Sequence, residues 1–357
     1  MRRLCLVIAT ASTVLVASGC KERAKPEPEP EPEAGSGSAP ELAEADPRQA
    51  EPAPAPECSE AAGAIADEID AARYEADLRL IAAARPPGSD HWKLVQDHCL
   101  AVFEAAGFAA TRFEVGDSGV SVVGRKDGAR PELPGVVIGA HYDHIEGCAG
   151  ADDNASGTAA VLELGRVLGA REWDRTLTVA CWDEEETRLG GSQAWVDAAV
   201  ADDREIALYV NFDAVGFANS EPHSQKLPPG AELLFAKQIR MLEAQDFRAD
   251  FIAILADTSA HDAAAYVLAH AARVELPAAL LEIPTGLKNG AALSELRRSD
   301  HASFWRHDIP AVFLSDTADF RTDTYHCIGR PDTVETLDLA FATKVVRATT
   351  GAVAELL

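Results

Sequence analysis

The chain has 357 residues and a formal net charge of −26, because 58 acidic residues outnumber 32 basic ones. So acidic a chain argues against nucleic acids and anionic lipid surfaces as partners, and it attracts cations instead. Its length and its hydrophobic content of 47% suit one large α/β domain.

The first 19 residues are typical of a signal peptide. Two arginines precede an apolar run over residues 4–16, and Ala17-Ser18-Gly19 then leads to Cys20. This ending resembles the bacterial lipobox, whose cysteine is lipidated and becomes the new N-terminus. The apolar run is shorter than the roughly 20 residues of a membrane-spanning helix. We predict a lipoprotein signal peptide over residues 1–19, a lipid anchor on Cys20, and export to the periplasm or cell surface; an ordinary secretory signal is the alternative.

Residues 20–57 are rich in Pro, Glu and Ala. Such a segment has few apolar side chains to bury, and alternating prolines favour an extended, solvated backbone. We therefore predict a disordered tether over residues 20–57 and a globular domain over residues 58–357.

Apolar periodicity predicts alternating helices and strands in the globular domain. In chain order we expect helices at residues 61–85 and 91–106, strands at 109–115, 119–125 and 135–140, a helix at 156–168, a strand at 175–182, a helix at 192–200 and a strand at 206–212. The second half adds a helix at 231–242, a strand at 251–255, a helix at 262–272, a strand at 278–283, a short helix from Ser299, a strand at 311–314 and a closing helix at 334–356. This alternation predicts a single three-layer α/β/α domain with a mostly parallel central sheet.

Metal-binding side chains directly follow three buried strands in succession: His141 and Asp143, then Glu185 and Glu186, then Asp213. In open parallel sheets, functional sites gather beyond the carboxyl ends of the strands. Residues i and i+2 at a strand end face the same way, so Asp143 can orient His141. These residues are therefore expected to lie together.

Two further segments complete the set. Asp152-Asp153-Asn154 precedes a helix, where one Asp is explained by capping, but three such residues exceed that need. Tyr325-His326 supplies a second imidazole, with an ordinary surface pair as the alternative. Two divalent metal ions a few Å apart need about five carboxylate and imidazole ligands, one of them shared. The residues alone thus predict a two-metal hydrolase with one glutamate left over as a base.

In order and spacing, the segments resemble the bacterial leucyl aminopeptidase (aminopeptidase Y-like) family of co-catalytic zinc exopeptidases, over about residues 75–350. The matching stretches are Gly139-Ala140-His141-Tyr142-Asp143, Gly150-Ala151-Asp152-Asp153-Asn154-Ala155-Ser156-Gly157, Glu185-Glu186 through Gly191-Ser192, Asn211-Phe212-Asp213, Ser299-Asp300-His301, and Tyr325-His326 with Asp332-Thr333.

This resemblance implies a zinc peptidase catalytic domain with two zinc ions. One ion would be held by His141, Asp153 and Asp213. The other would be held by Asp153, Glu186 and His326, with Asp153 bridging the pair.

The resemblance also implies the remaining roles. Glu185 would be the general base, Asp143 would orient His141, and Tyr325 would polarise the scissile carbonyl. The substrates would be peptides with a free N-terminus. Asp300 and His301 would support the site from behind its ligands.

One residue departs from the family pattern, and several cysteines could form disulfides. Arg188 stands where the family usually has Gly. Cys148 and Cys327 both lie near proposed ligands, which suggests a disulfide at the rim of the site. Cys58 and Cys99 are candidates for a second bridge between N-terminal helices. Cys181, inside a predicted strand, is expected to be a buried thiol.

Two alternative functions stay open at this point. Glutaminyl cyclases share the scaffold, but they use one zinc to cyclise N-terminal Gln. His141 and Asp213, the additional ligands for a second metal, favour the peptidase. A non-catalytic binding module on the same scaffold would typically have lost ligands, and this sequence has lost none. The sequence does not determine the oligomeric state.

Overall fold

The computed structural model describes residues 56–117 and 119–357. The predicted signal peptide, the anchor on Cys20 and the tether up to residue 55 lie outside the described residues. Among the helices that are described, none combines the length and the apolar character needed to cross a bilayer.

Within the described residues, eight strands form one sheet. They are β1 (Ala109–Val115), β2 (Gly119–Lys126), β3 (Gly135–His141), β4 (Leu177–Trp182), β5 (Ile206–Phe212), β6 (Ile252–Asp257), β7 (Ala278–Ile283) and β8 (Ala311–Ser315). Their order across the sheet is β1-β2-β4-β3-β5-β8-β6-β7. The central strands β4, β3, β5 and β8 run parallel, whereas β1, β2 and the β6–β8 pairing add antiparallel neighbours. The mostly parallel sheet predicted from the sequence is confirmed.

Helices cover both faces of the sheet. They are α1 (Glu60–Ala66), α2 (Ala71–Ile81), α3 (Asp90–Ala105), α4 (Gly157–Gly169), α5 (Gly190–Ala201), α6 (Ala231–Leu234), α7 (Ala236–Glu243), α8 (His261–Arg273), α9 (His301–Trp305) and α10 (Leu339–Leu356). Helices α2, α3, α4, α8 and α10 share one apolar core with the first face. Helices α5 and α9 form a second core with the other face. The three-layer α/β/α arrangement is therefore confirmed.

Three predicted helices have different bounds in the structure, and capping explains two of them. The expected helix at 61–85 is two helices, because the Asp70 carboxylate accepts hydrogen bonds from the backbone N–H groups of Ala72 and Arg73 and starts α2 anew. The closing helix begins at Leu339 rather than at residue 334, since Asp338 caps it in the same way. The helix expected at 231–242 is divided at Phe235 into α6 and α7.

The neighbouring strands β3, β4 and β5 bring the site together. In the sheet register, His141 at the end of β3 pairs with Trp182 at the end of β4. On the other side of β3, Gly139 pairs with Asn211, two residues before Asp213. The residues that follow the three strands therefore emerge at one edge of the sheet.

Candidate metal centre

His141 and Asp143 form the first pair of the site. The imidazole Nδ1 of His141 lies 3.2 Å from Asp143 Oδ1, and both side chains are buried. With Nδ1 engaged, Nε2 points at two other carboxylates, 3.3 Å from Asp153 Oδ1 and 3.5 Å from Asp213 Oδ1. A carboxylate on one ring nitrogen leaves the other free for a metal ion. The predicted orienting contact between Asp143 and His141 is therefore present.

Asp153 lies between the two imidazoles of the site. It belongs to an irregular turn, Ala151–Ser156, that leads into α4 and is buried throughout, with non-helical backbone angles at Asp153 and Asn154. Its Oδ1 faces His141, while its Oδ2 lies 3.1 Å from His326 Nε2. Because each carboxylate oxygen faces a different imidazole, the geometry is that expected of a carboxylate shared by two cations.

Glu185 and Glu186 enter the site from the end of β4. The Glu186 backbone N–H donates to Asp143 Oδ2 over 3.1 Å, and Glu186 Oε2 lies 3.6 Å from His326 Nε2. Ligand atoms of His141, Asp153 and Glu186 all lie within 4.8 Å of one another, and so do those of His141, Glu185 and Asp213. The five predicted metal ligands and the predicted base thus form one cluster.

The cluster contains several buried acidic groups that lie close to one another, and burial together with this proximity raises the pKa of both glutamates. Burial, together with Asp153, raises the pKa of Glu186 to about 9. Burial also raises the pKa of Glu185 well above its ordinary value, with Asp213 and Asp300 adding to the rise. Carboxyl groups are held in their protonated form where neighbouring acids and low solvent access disfavour charge.

The donor set fits two divalent cations. Burial alone would lower the pKa of His141, but the acids around it raise that pKa well above its ordinary value. Glu186 Oε1 is buried and has no hydrogen-bond partner among the described residues. His326 Nε2 is likewise buried without one, although Asp153 Oδ2 is 3.1 Å away. Buried polar atoms that lack a hydrogen bond while converging on one point are what a bound cation would satisfy.

The segment that carries His326 has an unusual backbone. His326 and Cys327 have φ angles of 54° and 55°, in the left-handed region that favours glycine. Each such residue costs about 1–2 kcal/mol, so the conformation requires support from its surroundings. Cys327 is joined to Cys148 by a disulfide, as predicted.

Tyr325 stacks on the neighbouring ligand. Its ring centroid lies 3.8 Å from that of His326. Arg298 Nη2 donates to the Tyr325 hydroxyl over 3.3 Å, and Arg298 Nη1 donates to Asp319 over 3.1 Å. Burial raises the pKa of Tyr325, so the hydroxyl keeps its proton and can act as a donor.

An apolar cleft adjoins the cluster. It lies between the β6–β8 part of the sheet and the α6–α7 segment, and it encloses about 1070 Å³ including its open part. Its walls include Phe235, Leu255 and Phe313, while Asp213 and Tyr325 belong to its lining. An apolar side chain of a bound molecule can therefore reach the cluster from this cleft.

Arg85 is a residue of the site that the sequence analysis missed. Its guanidinium is fully buried and donates to backbone carbonyl oxygens on both sides of the ligand loop, among them those of Tyr142, Ala149 and Gly150. Burial lowers the pKa of Arg85 to about 10, which still leaves it charged at neutral pH. The sequence offered only a single arginine before Pro86-Pro87, which is no signal for such a role.

Asp300 and His301 are neighbours in the chain, but their side chains lie in different surroundings. Asp300 is buried beside the cluster, and burial raises its pKa to about 7. His301 points away, with Nε2 2.8 Å from the Leu296 carbonyl oxygen and its ring packed against Trp305 and Phe313. Asp300 thus lies beside the site, whereas His301 belongs to the core beneath it. The expected support from His301 is wrong, because its ring is held by Leu296, Trp305 and Phe313.

The remaining expectations from the sequence concern three further cysteines and Arg188. The suggested Cys58–Cys99 bridge is wrong: both residues are free thiols, because α1 packs against α10 while Cys99 on α3 faces Cys181 in the core. The buried thiol at Cys181 is confirmed. Arg188 has a φ of 97°, which accounts for glycine as the usual residue at this position in the family it resembles.

The chain is similar in sequence to known proteins. The model of peptidase family M28 matches residues 121–353, well over half of the 357 residues. An uncharacterised protein of Escherichia coli K12, YfbL, is 29% identical over 266 residues, 69% of this chain and 74% of YfbL. An aminopeptidase of Pseudomonas aeruginosa is 32% identical over 135 residues, which make up 32% of this chain but only 25% of that enzyme.

Solved structures share the fold. The LapA aminopeptidase of Legionella pneumophila matches with a TM-score of 0.64 and 20% identity, over 84% of this chain and 76% of LapA. Glutaminyl cyclase of Porphyromonas gingivalis matches with a TM-score of 0.55 and 16% identity, over 81% of this chain and 99% of the cyclase. At these identities the likeness concerns the fold alone.

Proposed function

The chain belongs to peptidase family M28, and from this membership and the site geometry we propose that it is a two-zinc aminopeptidase that removes N-terminal residues from peptides. One observation carries the proposal. The two carboxylate oxygens of Asp153 face the imidazoles of His141 and His326, at 3.3 and 3.1 Å.

The proposed ligands follow from this arrangement. His141, Asp153 and Asp213 would hold one zinc ion. Asp153, Glu186 and His326 would hold the other. The pair of ions would supply Lewis-acid activation of water and of the scissile carbonyl, and a binding point for the substrate's free amine.

The protein's own groups do the rest of the chemistry. The Glu185 carboxylate takes a proton from the attacking water and returns it to the nitrogen of the leaving amine. The Tyr325 hydroxyl donates a hydrogen bond to the oxygen of the scissile carbonyl, where negative charge develops. The apolar cleft beside Asp213 and Tyr325 accepts the side chain of the N-terminal residue and keeps water away from it.

The experiment is a panel of aminoacyl-nitroanilides assayed with and without a metal chelator. We expect release from Leu and Phe substrates, loss of activity in chelator, and recovery when zinc is returned. The matched control is an N-acetylated leucyl substrate, which lacks the free amine and should not be cleaved. Activity that survives chelation, or equal cleavage of the acetylated substrate, would count against the proposal.

A glutaminyl substrate in the same assay tests the alternative function, that of a glutaminyl cyclase. A glutaminyl cyclase would convert an N-terminal Gln substrate to the cyclic product while leaving leucyl substrates intact. Ligand atoms of His141, Glu185 and Asp213 lie close together. This grouping favours the hydrolase, because it provides the additional ligands for a second metal ion beside the proposed base. Cyclisation without hydrolysis would reverse that choice.

We also propose that the protein is exported and held at a bacterial membrane by a lipid on Cys20. The Cys148–Cys327 disulfide supports export, because disulfides persist mainly in oxidising compartments. Radiolabelled palmitate should be incorporated into the wild type and not into the Cys20→Ala variant. Equal labelling of both would rule out this anchor.

A further inference from the structure

Among the proposed ligands, His326 has the weakest local support. His141 ends strand β3, Glu186 and Asp213 follow strands β4 and β5, and Asp153 lies in a buried turn before α4. His326 instead lies on a short turn, Tyr325–Cys327, and its side chain is 28% exposed. Its left-handed backbone will not persist unless other contacts fix it.

Two links fix this turn to the loop that carries Asp153. The first is the disulfide from Cys327 to Cys148, residues separated by 179 positions in the chain. The Cys148 end is itself held, since the buried Arg85 guanidinium donates to the next carbonyl, that of Ala149, over 2.7 Å.

The second link is the carboxylate of Asp332. It accepts hydrogen bonds from the backbone N–H of Asp152, at 2.9 and 3.0 Å, and from that of Asp153, at 3.1 Å. The backbone N–H of Asp332 in turn donates to Cys327 Sγ over 3.3 Å. The disulfide and Asp332 thus form one connected bridge between the two segments, which we call the clasp.

We propose that the clasp sets the separation of Asp153 and His326, and thereby the affinity of the metal ion that these two residues share with Glu186. Cys148, Cys327 and Asp332 are positioning residues in this view, since none of them is a proposed ligand and each acts through the segments that carry Asp153 and His326. The ion held by His141, Asp153 and Asp213 depends less on the clasp, because His141 and Asp213 lie outside it. This inference rests on the proposed metal centre but not on the reaction.

The test is zinc titration of the metal-free protein against a chromophoric chelator, without any substrate. Wild type should bind two zinc ions. In the Cys148→Ala/Cys327→Ala variant the second ion should bind about 10- to 100-fold more weakly, as is typical when residues that support a ligand are lost. The first ion, which keeps His141 and Asp213, should lose much less affinity. Alanine is chosen because a free thiol beside the site could itself bind zinc.

Two further variants keep the result interpretable. The matched control, Cys99→Ala/Cys181→Ala, also removes two cysteine sulfur atoms but leaves the clasp intact, and it should bind both ions like wild type. Asp332→Asn weakens the second link while keeping the disulfide, and it should also selectively weaken the second ion. If the double alanine variant does not fold, Asp332→Asn still tests whether the clasp controls the affinity of the second ion.

Three outcomes would overturn the inference. One is unchanged affinity for both ions in a folded clasp variant. Another is equal weakening of both ions, which would mean a general loosening of the fold. Wild-type protein that binds fewer than two ions would overturn this inference together with the proposed function, whereas the first two outcomes leave the proposed function standing.

Discussion

The guanidinium of Arg85 donates a hydrogen bond to the carbonyl oxygen of Tyr142, the residue between His141 and Asp143. This contact ties the segment after α2 to the end of the central strand β3. The same guanidinium also donates to the carbonyl oxygens of Ala149 and Gly150, so a single buried cation holds both ends of the ligand loop.

Replacing Arg85 with Lys should therefore destabilise the fold although the charge is kept. An ammonium group cannot reach the several carbonyl oxygens that the planar guanidinium serves, and buried acceptors left without donors cost free energy. We expect a loss of roughly 3 kcal/mol in the free energy of unfolding, measured by urea denaturation in chelator. Arg79→Lys, an exposed change in the preceding helix, is the control and should have little effect. Equal losses of unfolding free energy in the two variants would show that the buried hydrogen bonds of Arg85 contribute no more to stability than an exposed arginine does.

Glu185→Gln should abolish turnover without releasing metal. The amide has nearly the shape of the carboxyl group but cannot accept the proton of the attacking water, so kcat should fall about 10²- to 10⁴-fold. The measurement is steady-state kinetics on leucyl nitroanilide together with zinc content. Glu146→Gln, on the exposed part of the ligand loop, should retain wild-type kinetics. Wild-type kcat in the Glu185 variant would remove this residue from the mechanism.

Arg298 and Tyr325 should act as a unit. The hydrogen bond from Arg298 and the cation 5.6 Å from the ring centroid orient the phenol towards the cluster. We expect Tyr325→Phe to lower kcat about 10²-fold with little change in KM, and Arg298→Ala to lower it less. If Arg298 works through the phenol, the double variant should be no slower than Tyr325→Phe. Multiplicative losses in the double variant would mean that the two side chains act independently.

His301 should make the stability of the metal-free protein depend on pH. Burial lowers the pKa of His301 to about 4 from an ordinary value of 6.5. Between these values the unfolded chain binds the proton and the folded chain does not, so stability is complete above pH 6.5 and falls as the pH drops towards 4. The expected loss between pH 7.5 and 4.5 is roughly 2.5 kcal/mol from this group alone.

The comparison is His301→Phe, which keeps a ring between Trp305 and Phe313. Urea unfolding of both proteins in chelator, at several pH values, separates this contribution from the other titrating groups. A variant with the same pH dependence as wild type would show that His301 does not titrate as described.

Much of the site follows from local sequence rules. His141, Asp143, Glu185 and Asp213 could be assigned because each lies at the end of a largely apolar strand or shortly beyond it, and such strands are typically buried on both faces. Parallel pairing of those strands then brings the residues to one edge without further information. The predicted strands and the three-layer class followed from the same periodicity.

The remaining features depend on contacts between distant segments. His326 is 113 positions beyond Asp213, follows no strand, and was singled out from the residues only because a second imidazole was needed. Arg85 has no partner nearby in sequence that would predict its hydrogen bonds to the ligand loop. The wrong Cys58–Cys99 bridge has the same origin, since sequence spacing did not show that α1 packs on α10.

The most direct measurement is the number of zinc ions per chain, determined by elemental analysis of wild-type and Asp153→Ala protein after dialysis against trace zinc. A carboxylate that faces both imidazoles predicts two ions in the wild type and loss of both in the variant, because each ion loses a ligand and the shared contact disappears. One ion in the wild type, or two ions retained without Asp153, would contradict a centre built around this residue.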